Sequence, residues 1–401
     1  MKKIVSLALL GATTSLMAMY AEQASLYKDP RIMGMGGANV AVGSYSTSVF
    51  SNPAGLANIK KEHGFVVDLL SIGLGGTAKM NTFLNDINDA NDDDDDTAAM
   101  SDVLKEYSGE HFHTDVSAYM SVSKNSDTFA WSIGLLSAVD VNLMAHGNGS
   151  SNAELLETTS RAYGGVILGA AKPYQTKYGQ LDVGMSLKYI SLTSYEGTLG
   201  ITELTSDDEN DDNSVEDKLR NRYEKKTNGI GIDLGIVFKP NFQSTQLWHP
   251  AVGFSIMNIG SINMNDNYGG QPMTLNAGIS ISPEVRYIDN FKVALDYVDI
   301  LGANKLRIYN MKNPDGTASY TDYDSSSFIK NLRFGMSAGL IDSTYFSSTL
   351  NLGLYQGAYT AGLSLDLTIL KLNFATYQEE VGDTASSIED RRYMTQIAIG
   401  W

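Results

Sequence analysis

Residues 179–192 read GQLDVGMSLKYISL, and two kinds of side chain alternate along them. Every second residue is large and apolar: Leu181, Val183, Met185, Leu187 and Tyr189. The residues between them are small or polar: Asp182, Gly184, Ser186 and Lys188. Successive side chains of a β-strand point to opposite faces of the sheet, so this period of two predicts a strand with one apolar and one polar face.

The same alternation recurs along most of the chain after residue 60. We predict strands at 62–75, 112–123, 128–140, 161–173, 180–193, 228–239, 250–260, 273–282, 290–299, 332–341, 345–355, 359–370, 371–379 and 391–401. Transmembrane barrels of bacteria usually have an even number of antiparallel strands. The pattern therefore favours an all-β fold that closes on itself.

The polar face consists mainly of Gly, Ser, Thr and Asn, with charges at Asp233, Asp296, Arg333 and Lys371. Small polar residues suit the wet lumen of a barrel whose apolar face contacts lipid. Tyrosines near the segment ends are candidates for interfacial girdles: Tyr119, Tyr189, Tyr297, Tyr359 and Tyr377. We therefore predict a transmembrane antiparallel β-barrel of about 14 strands over residues 61–401, in contact with outer-membrane lipid.

The N-terminus resembles a secretory signal peptide. Lys2 and Lys3 precede the apolar run Ile4 to Leu10, and Ala18 or Ala21 offers a cleavage position. We assign residues 1–21 to a cleaved signal peptide; the alternative is an N-terminal hydrophobic helix. No later stretch of about 18 apolar residues predicts a transmembrane helix. We expect export to the outer membrane of a Gram-negative bacterium.

The C-terminal segment has one apolar face that ends on an aromatic residue: Tyr393, Thr395, Ile397, Ile399 and Trp401. Outer-membrane barrels typically end in this way, because the barrel assembly machinery engages the last strand. We therefore expect Tyr393, Ile397, Ile399 and Trp401 to form the assembly signal.

Composition excludes several classes of function. The net charge is −17, and no Lys or Arg cluster is present to bind phosphates, so we expect no direct nucleic-acid contact. The absence of cysteine excludes disulfides, Cys-ligated zinc and iron–sulfur clusters. We expect no cofactor.

Three polar insertions interrupt the strand pattern, at 81–109, 203–226 and 303–330, and we place them on the outer side. The first contains a possible helix from Thr97 to Tyr107 and the run Asp92 to Asp96. The second contains Asp207, Asp208, Asp211 and Asp212. Carboxylates suit calcium, but neither run has the spacing or glycine of a calcium loop, so a solvated acidic loop is the favoured interpretation.

Residues 22–60 form the third predicted unit, a hatch or plug inside the barrel. Its core, residues 29–59, is dense in Gly, Ala and small polar residues and has no strand pattern. Gly34, Gly36 and Gly37 allow conformations and close approaches that a Cβ forbids. Pro53 fixes a turn, and the side chain of Asn52 can bond to nearby backbone. A purely structural turn at Asn52 and Pro53 is the alternative.

Two elements of this unit resemble the N-terminal signature of the FadL-like barrels: Arg31-Ile-Met-Gly34-Met-Gly36-Gly37-Ala, followed by Asn52-Pro53-Ala54-Gly55-Leu. In that superfamily a small hatch plugs a barrel of about fourteen strands. The fuller motif is most similar to the TraF-like conjugal-transfer and PorV-like secretion branch. The resemblance implies the fold and the hatch residues Arg31, Gly34, Gly36, Gly37, Asn52, Pro53, Ala54 and Gly55. It implies no substrate-contacting residue.

Chemistry-bearing motifs are weak. Gly34 to Gly37 lacks the strand and βαβ unit of a nucleotide loop. His111 and His113 share one strand face, but no third metal ligand suggests itself, so polar residues without a metal are the favoured interpretation. No Ser-His-Asp order is evident. We expect neither an enzyme nor a metal site.

Three functions remain open. The leading hypothesis is transport of a hydrophobic or amphipathic small molecule, in which Lys188, Arg333 or Arg392 meets a carboxylate. The second is a structural or assembly component of a conjugal-transfer or protein-secretion apparatus, with a secretion or conjugation protein as partner. The third, a simple diffusion porin, is disfavoured by the glycine-rich plug.

Overall fold

The computed structural model describes residues 22–61, 64–91, 96–126, 128–146, 155–201, 224–262, 264, 268–311, 318–324, 328–343, 345–381 and 389–401. The predicted signal peptide lies outside the described residues. The second acidic run and most of the first also lie outside them.

Fourteen antiparallel strands close into one barrel, as the alternation predicts. In chain order they are β1 (Phe65–Thr77), β2 (His111–Asn125), β3 (Ala130–His146), β4 (Leu155–Thr176), β5 (Gly179–Gly200), β6 (Lys225–Pro240), β7 (Ala251–Gly260), β8 (Thr274–Ile281), β9 (Asp289–Tyr297), β12 (Leu332–Asp342), β13 (Ser347–Tyr355), β14 (Ala358–Leu367), β15 (Leu370–Glu380) and β16 (Glu389–Gly400). Each strand pairs with its neighbour along this series, and β1 pairs with β16 to close the ring, for example at Ile72 and Ile397. Closure leaves no open sheet edge, which a lipid environment requires.

The two faces of the strands have the predicted character. On β5, Met185 is 51% exposed and Lys188 only 2%, and the residues around them alternate in the same way. The exposed large hydrophobic side chains of the other strands form an apolar belt around the barrel. Such a belt is the lipid-facing surface of a transmembrane barrel. None of the helices described is long and apolar enough to cross a bilayer.

The tyrosine girdle is only partly as predicted. Tyr189 and Tyr359 face outward, but Tyr119 and Tyr377 are almost completely buried in the lumen. Tyr119 packs against Tyr27 of the N-terminal segment, with ring centroids 5.7 Å apart. The prediction was wrong at these two positions because closeness to a strand end does not determine which face a residue occupies.

The two ends of the barrel differ. We call the end with the short hairpins, such as 176–179 between β4 and β5, the turn end; β1 begins and β16 ends there. The opposite end, with the insertions, is the loop end. The wall is uneven in height, because β4 and β5 each have 22 residues whereas β8 has 8 and β13 has 9. The long strands continue beyond the apolar belt at the loop end.

Two helices stand on the loop end above β2 and β3. They are α2 (Met80–Asn91) and α3 (Asp96–Glu106), and only the second was predicted. Buried residues of both helices pack on the wall around Phe83, whose ring stacks on Phe112 at 4.1 Å. The helix α2 was missed although its sequence carries a helical signal, since its apolar residues recur at i, i+3, i+4, i+7 and i+10: Met80, Phe83, Leu84, Ile87 and Ala90.

The third insertion contains a small hairpin that the sequence did not predict. Its strands, β10 (Lys305–Met311) and β11 (Ala318–Asp324), pair with each other and not with the barrel. A short helix, α4 (Phe328–Asn331), leads from it into β12. The hairpin therefore extends the loop end without adding to the wall.

Candidate functional site

Residues 22–61 lie inside the barrel and form what we call the hatch. It enters near the loop end and contains the helix α1 (Pro30–Gly34) and two 3₁₀ turns, Ser46–Phe50 and Pro53–Asn58. It leaves at the turn end, where β1 begins. Most of its side chains are buried.

The helix α1 begins with a cap that the sequence analysis did not single out. The side chain of Asp29 accepts a hydrogen bond from the backbone of Arg31 at 2.9 Å and pairs with the Arg31 guanidinium at 2.6 Å. Thr47 donates to the same carboxylate at 2.7 Å. Burial alone would raise the pKa of Asp29, but Arg31 and these hydrogen bonds hold it below its ordinary value. Asp29 and Arg31 thus fix the start of α1 to the first 3₁₀ turn, and the Asp-Pro pair was the available signal.

The glycines of the motif lie where the hatch touches the wall. A Cβ on Gly34 would lie 2.8 Å from the Cα of Gly362, and one on Gly36 would lie 2.1 Å from the carbonyl oxygen of Phe334. Gly36 also has a φ of 65°, which residues with a Cβ rarely adopt. The hydroxyl of Thr360 donates to the Gly34 carbonyl at 2.8 Å and accepts from the Gly36 amide at 3.0 Å. The helix α1 therefore lies directly against β14, and the turn that follows it, at Gly36, lies against β12.

The remaining glycine of this motif, Gly37, has a φ of 76° and lies beside Arg333 and Tyr355. Gly37 thus brings the hatch backbone close to a buried cation of the wall.

Asn52 connects the hatch to the wall on the opposite side. Its amide donates to the carbonyl oxygens of Val40 at 2.7 Å and Ile236 at 3.1 Å, and its side-chain oxygen accepts from the Ala54 backbone at 3.1 Å. Pro53 and Ala54 follow in the second 3₁₀ turn and lie against Gly184 of β5. The Asn-Pro-Ala element therefore caps a turn and holds it to β5 and β6.

The next residue of that element, Gly55, packs against Gly43 of the hatch itself. Its amide donates to the Asn52 carbonyl at 3.0 Å. It therefore closes the turn from within.

Asp296 of β9 holds the middle of the hatch, through a contact that no sequence pattern predicted. Its Oδ2 atom accepts hydrogen bonds from the backbone amides of Asn39 at 2.6 Å and Val40 at 2.7 Å. The Val40 carbonyl also accepts a hydrogen bond from the Asn52 side chain, which in turn donates to Ile236 of the wall. Both backbone polar groups of Val40 are therefore bound to side chains, the amide to Asp296 and the carbonyl to Asn52. The position of Asp296 on the polar face was predicted, but not its partner.

A cluster of charges binds the first residues of the hatch at the loop end. The carboxylate of Glu22, 1% exposed, contacts Lys28 at 2.6 Å, Arg392 at 3.1 Å and Arg161 at 3.1 Å. Burial opposes ionisation, yet these three cations hold the pKa of Glu22 well below its ordinary value. Lys28 also contacts Glu379 at 2.9 Å, and these two carboxylates keep its pKa above the ordinary value despite burial. The start of the hatch is thus tied to β4, β15 and β16.

The three cations predicted to meet a ligand differ in their partners. Arg392 binds Glu22 and Asp390, and Lys188 lies 2.9 Å from Asp233, so intramolecular carboxylates neutralise both. The guanidinium of Arg333 donates only to backbone carbonyls and to the side-chain oxygen of Gln23, at 3.2 Å. Arg333 is 4% exposed and has no carboxylate partner among the residues that the structure describes.

The two histidines take part in the polar wall. His111 lies 3.0 Å from Asp390, and His113 lies 2.6 Å from the side-chain oxygen of Asn142 and 3.1 Å from Asp115. Over the described part of the chain, no group of three or more His, Asp or Glu side chains is arranged to hold a metal ion.

One Gly-x-Ser-x-Gly spacing occurs, at residues 335–339. It lies in the middle of β12, with Ser337 facing the lumen, and not at the strand-to-helix turn that a nucleophilic serine requires.

Cavities lie on both sides of the hatch. The upper cavity, of about 210 Å³, opens toward the loop end, and its lining includes Leu26, Met33 and Phe50 together with Lys188 and Arg333. The lower cavity, of about 480 Å³, lies at the turn end. Ile32 of α1 borders both, so the hatch is thin at this helix.

Of the C-terminal residues expected to form the assembly signal, Tyr393, Ile397 and Ile399 lie on the outer face of β16, and Trp401 follows the strand; all four are exposed. They do not contact the hatch site. Their recognition by the assembly machinery stays a prediction.

Solved structures share this architecture. A chain described as "TodX deltaS2S3 mutant monoaromatic hydrocarbon channel" superposes with a TM-score of 0.52 at 11% identity, covering 93% of this chain and 97% of the other. The toluene transporter TodX of Pseudomonas putida gives a TM-score of 0.50 at 9% identity, with the same coverage. At such identities the similarity establishes the fold alone.

The sequence places the chain more narrowly. Residues 49–267, more than half of the chain, match the family described as "F plasmid transfer operon, TraF, protein", and the chain belongs to this family. No curated protein matches the chain.

Proposed function

We propose that this protein is an outer-membrane transporter that admits a hydrophobic or amphipathic small molecule. The observation that carries the proposal is the upper cavity, which combines apolar side chains with the buried guanidinium of Arg333. Ligand sites are typically concave and apolar with a few placed polar groups, and this cavity has that character. The fold shared with hydrocarbon channels adds support.

Passage through the barrel requires the hatch to move, since it lies across the lumen. Hydrogen bonds between the middle of the hatch and the wall include those from Asn39 and Val40 to Asp296, from Thr360 to Gly34, from Asn52 to Ile236 and from Ser255 to Ser51. A typical hydrogen bond contributes about 0.5–1.5 kcal/mol net, and one to a charged group about 1.5–3 kcal/mol. The closed position is therefore stabilised by a set of individually modest bonds, some of which ligand contacts could offset.

Uptake by a strain that lacks the gene tests the proposal. Uptake of fatty acids, aromatic hydrocarbons and alkanes is measured in the deletion strain, after complementation with the wild-type gene, and with Arg333→Met. The control is Lys172→Met, which removes an exposed charge from β4, away from both cavities. We expect uptake of one of these classes to fall in the deletion strain and with Arg333→Met. Uptake should stay at the wild-type level after complementation and with Lys172→Met. Unchanged uptake of all three classes would refute transport.

Membership of the TraF family favours a second candidate, a structural component of an envelope assembly. In that role the barrel anchors a complex, and the insertions at the loop end or the turns carry the protein contact. Affinity purification in mild detergent separates the two candidates. A stoichiometric protein partner favours the assembly role, whereas a monomer that carries a small amphiphile favours transport.

A further inference from the structure

The start of the hatch is enclosed by the barrel. The Glu22 carboxylate is 1% exposed and contacts three cations. The side chain of Gln23 donates to Asn331 at 3.0 Å and accepts from Arg333 at 3.2 Å. Two successive side chains at the start of the hatch are therefore held by buried groups of the barrel.

Carboxylates outnumber cations in the charge cluster around Glu22. Its members among the described residues, joined by direct contacts of 2.5–3.1 Å, are the cations Lys28, Arg161 and Arg392 and the carboxylates Glu22, Asp140, Glu379 and Asp390. Three positive charges thus meet four negative ones. His111 and His113 border the cluster and add charge only when protonated, and Asp115 beside His113 adds a further negative charge. While the histidines are neutral, the cluster is short of at least one positive charge.

Burial makes this imbalance costly. Arg161 and Arg392 are at most 2% exposed, and an ionised group without a compensating partner is strongly disfavoured away from water. The main-chain nitrogen of Glu22 is placed to supply the charge, since it belongs to the residue at the centre of the cluster. It becomes an ammonium only if the chain begins at this residue. Of the two cleavage positions in the sequence, Ala18 and Ala21, only the second creates that ammonium.

We propose that the mature protein begins at Glu22 and that its α-ammonium is the missing cation of the charge cluster, so that removal of the signal peptide completes the seat of the hatch. Hydrolysis of the Ala21–Glu22 peptide bond, catalysed by a signal peptidase, consumes one water molecule. The hydroxyl goes to the Ala21 carbonyl carbon and a hydrogen to the Glu22 nitrogen. At neutral pH the new acid releases a proton and the new amine takes one up. This inference goes beyond the proposed function and applies equally to a transporter and to an assembly component.

N-terminal sequencing and amine labelling of the protein purified from outer membranes test the position of the ammonium and its burial. The label is N-hydroxysuccinimide acetate at about pH 7, because an ordinary α-amine, with a pKa of about 8, reacts before lysines, with a pKa of about 10.4. We expect Glu22 to be the first residue and its amine to react roughly tenfold more slowly in the folded barrel than in the chain unfolded in urea. Lys177, exposed at a hairpin tip, is the internal control and should react alike in both states. A different first residue, or equal reaction of the α-amine in both states, would overturn the inference.

Refolding separates the role of the charge from burial alone. The unfolded chain is acetylated at its α-amine and refolded in detergent, and heat-modifiable migration verifies that the barrel has formed. Acetylation should raise the rate of protease cleavage within residues 22–61 roughly tenfold, because it removes the charge that neutralises the cluster.

A second variant tests whether this effect depends on the carboxylates of the cluster. In Asp140→Asn, which removes one of them, acetylation should raise cleavage only about threefold. The matched control is Glu284→Gln, which removes an exposed carboxylate at the turn end and should leave the tenfold effect unchanged. If acetylation leaves cleavage of the wild type unchanged, or has the same effect in all three proteins, the ammonium does not neutralise the cluster and the inference is wrong.

Discussion

Replacing Asp296 with alanine removes the acceptor that holds the middle of the hatch. The amides of Asn39 and Val40, at 2.6 and 2.7 Å, then lose their shared partner. Each hydrogen bond to a charged group contributes about 1.5–3 kcal/mol, so the pair is worth roughly 3–6 kcal/mol before water and side chains relax. We expect a net loss of roughly 3 kcal/mol from the closed position of the hatch.

Such a loss has a measurable consequence, since about 1.4 kcal/mol corresponds to a tenfold change in an equilibrium constant. The population of the open hatch should rise roughly a hundredfold, and single-channel recordings in planar bilayers should show openings far more often than for the wild type. Asp296→Asn keeps an oxygen acceptor at the same place. It should lose only about 1 kcal/mol and give an intermediate open fraction.

Asp366→Ala is the matched control for these recordings. The Asp366 carboxylate accepts from Thr368 within its own hairpin, at 3.1 Å, so its removal leaves the hatch contacts intact. Thermal unfolding of the barrel should be nearly the same for all variants, because the strand ladders do not involve the altered side chains. Equal open fractions for Asp296→Ala and the wild type would show that Asp296 does not hold the hatch closed.

Three further predictions concern the same framework. Gly36→Ala, which combines a φ of 65° with a clash against Phe334, should loosen the hatch by at least about 1–2 kcal/mol, measured as faster protease cleavage of residues 22–61 in the folded barrel. Phe83→Ala should destabilise the packing of the loop-end helices by about 3–5 kcal/mol and expose them to protease, while the barrel keeps its mobility in gels. If α2 stayed as resistant to protease as in the wild type, the packing described would be contradicted. The pKa of Glu22 in the folded protein lies below its ordinary value of 4.5, so the stability that its ionised carboxylate contributes is fully present above pH 4.5 and is lost as the pH falls through the folded pKa. Protease cleavage near Glu22 should therefore increase only in acid. An increase at neutral pH would oppose this assignment.

The sequence predicts the wall better than the site. Alternation such as Leu187 next to Lys188 determines which face meets lipid, because a strand has a fixed period, and all fourteen barrel strands were located in this way. The contact between Asp296 and Val40 joins residues 256 positions apart, and no local pattern encodes it. For a related reason, the outward orientation of Tyr119 was predicted wrongly and the hairpin β10–β11 was not predicted. Their positions depend on the hatch and on loop packing, and not on strand periodicity.

The uneven wall has a consequence for the surrounding bilayer. A tilted membrane strand needs roughly 9–11 residues to span, so β8, with 8 residues, has no length to spare, whereas β4 and β5 have twice what is needed. The bilayer beside the short strands must become thinner to match the apolar belt, whereas the bilayer beside β4 and β5 need not. We therefore expect the bilayer to be thinner on the side of the short strands. Amphiphiles in the outer leaflet reach the rim of the barrel most directly on that side.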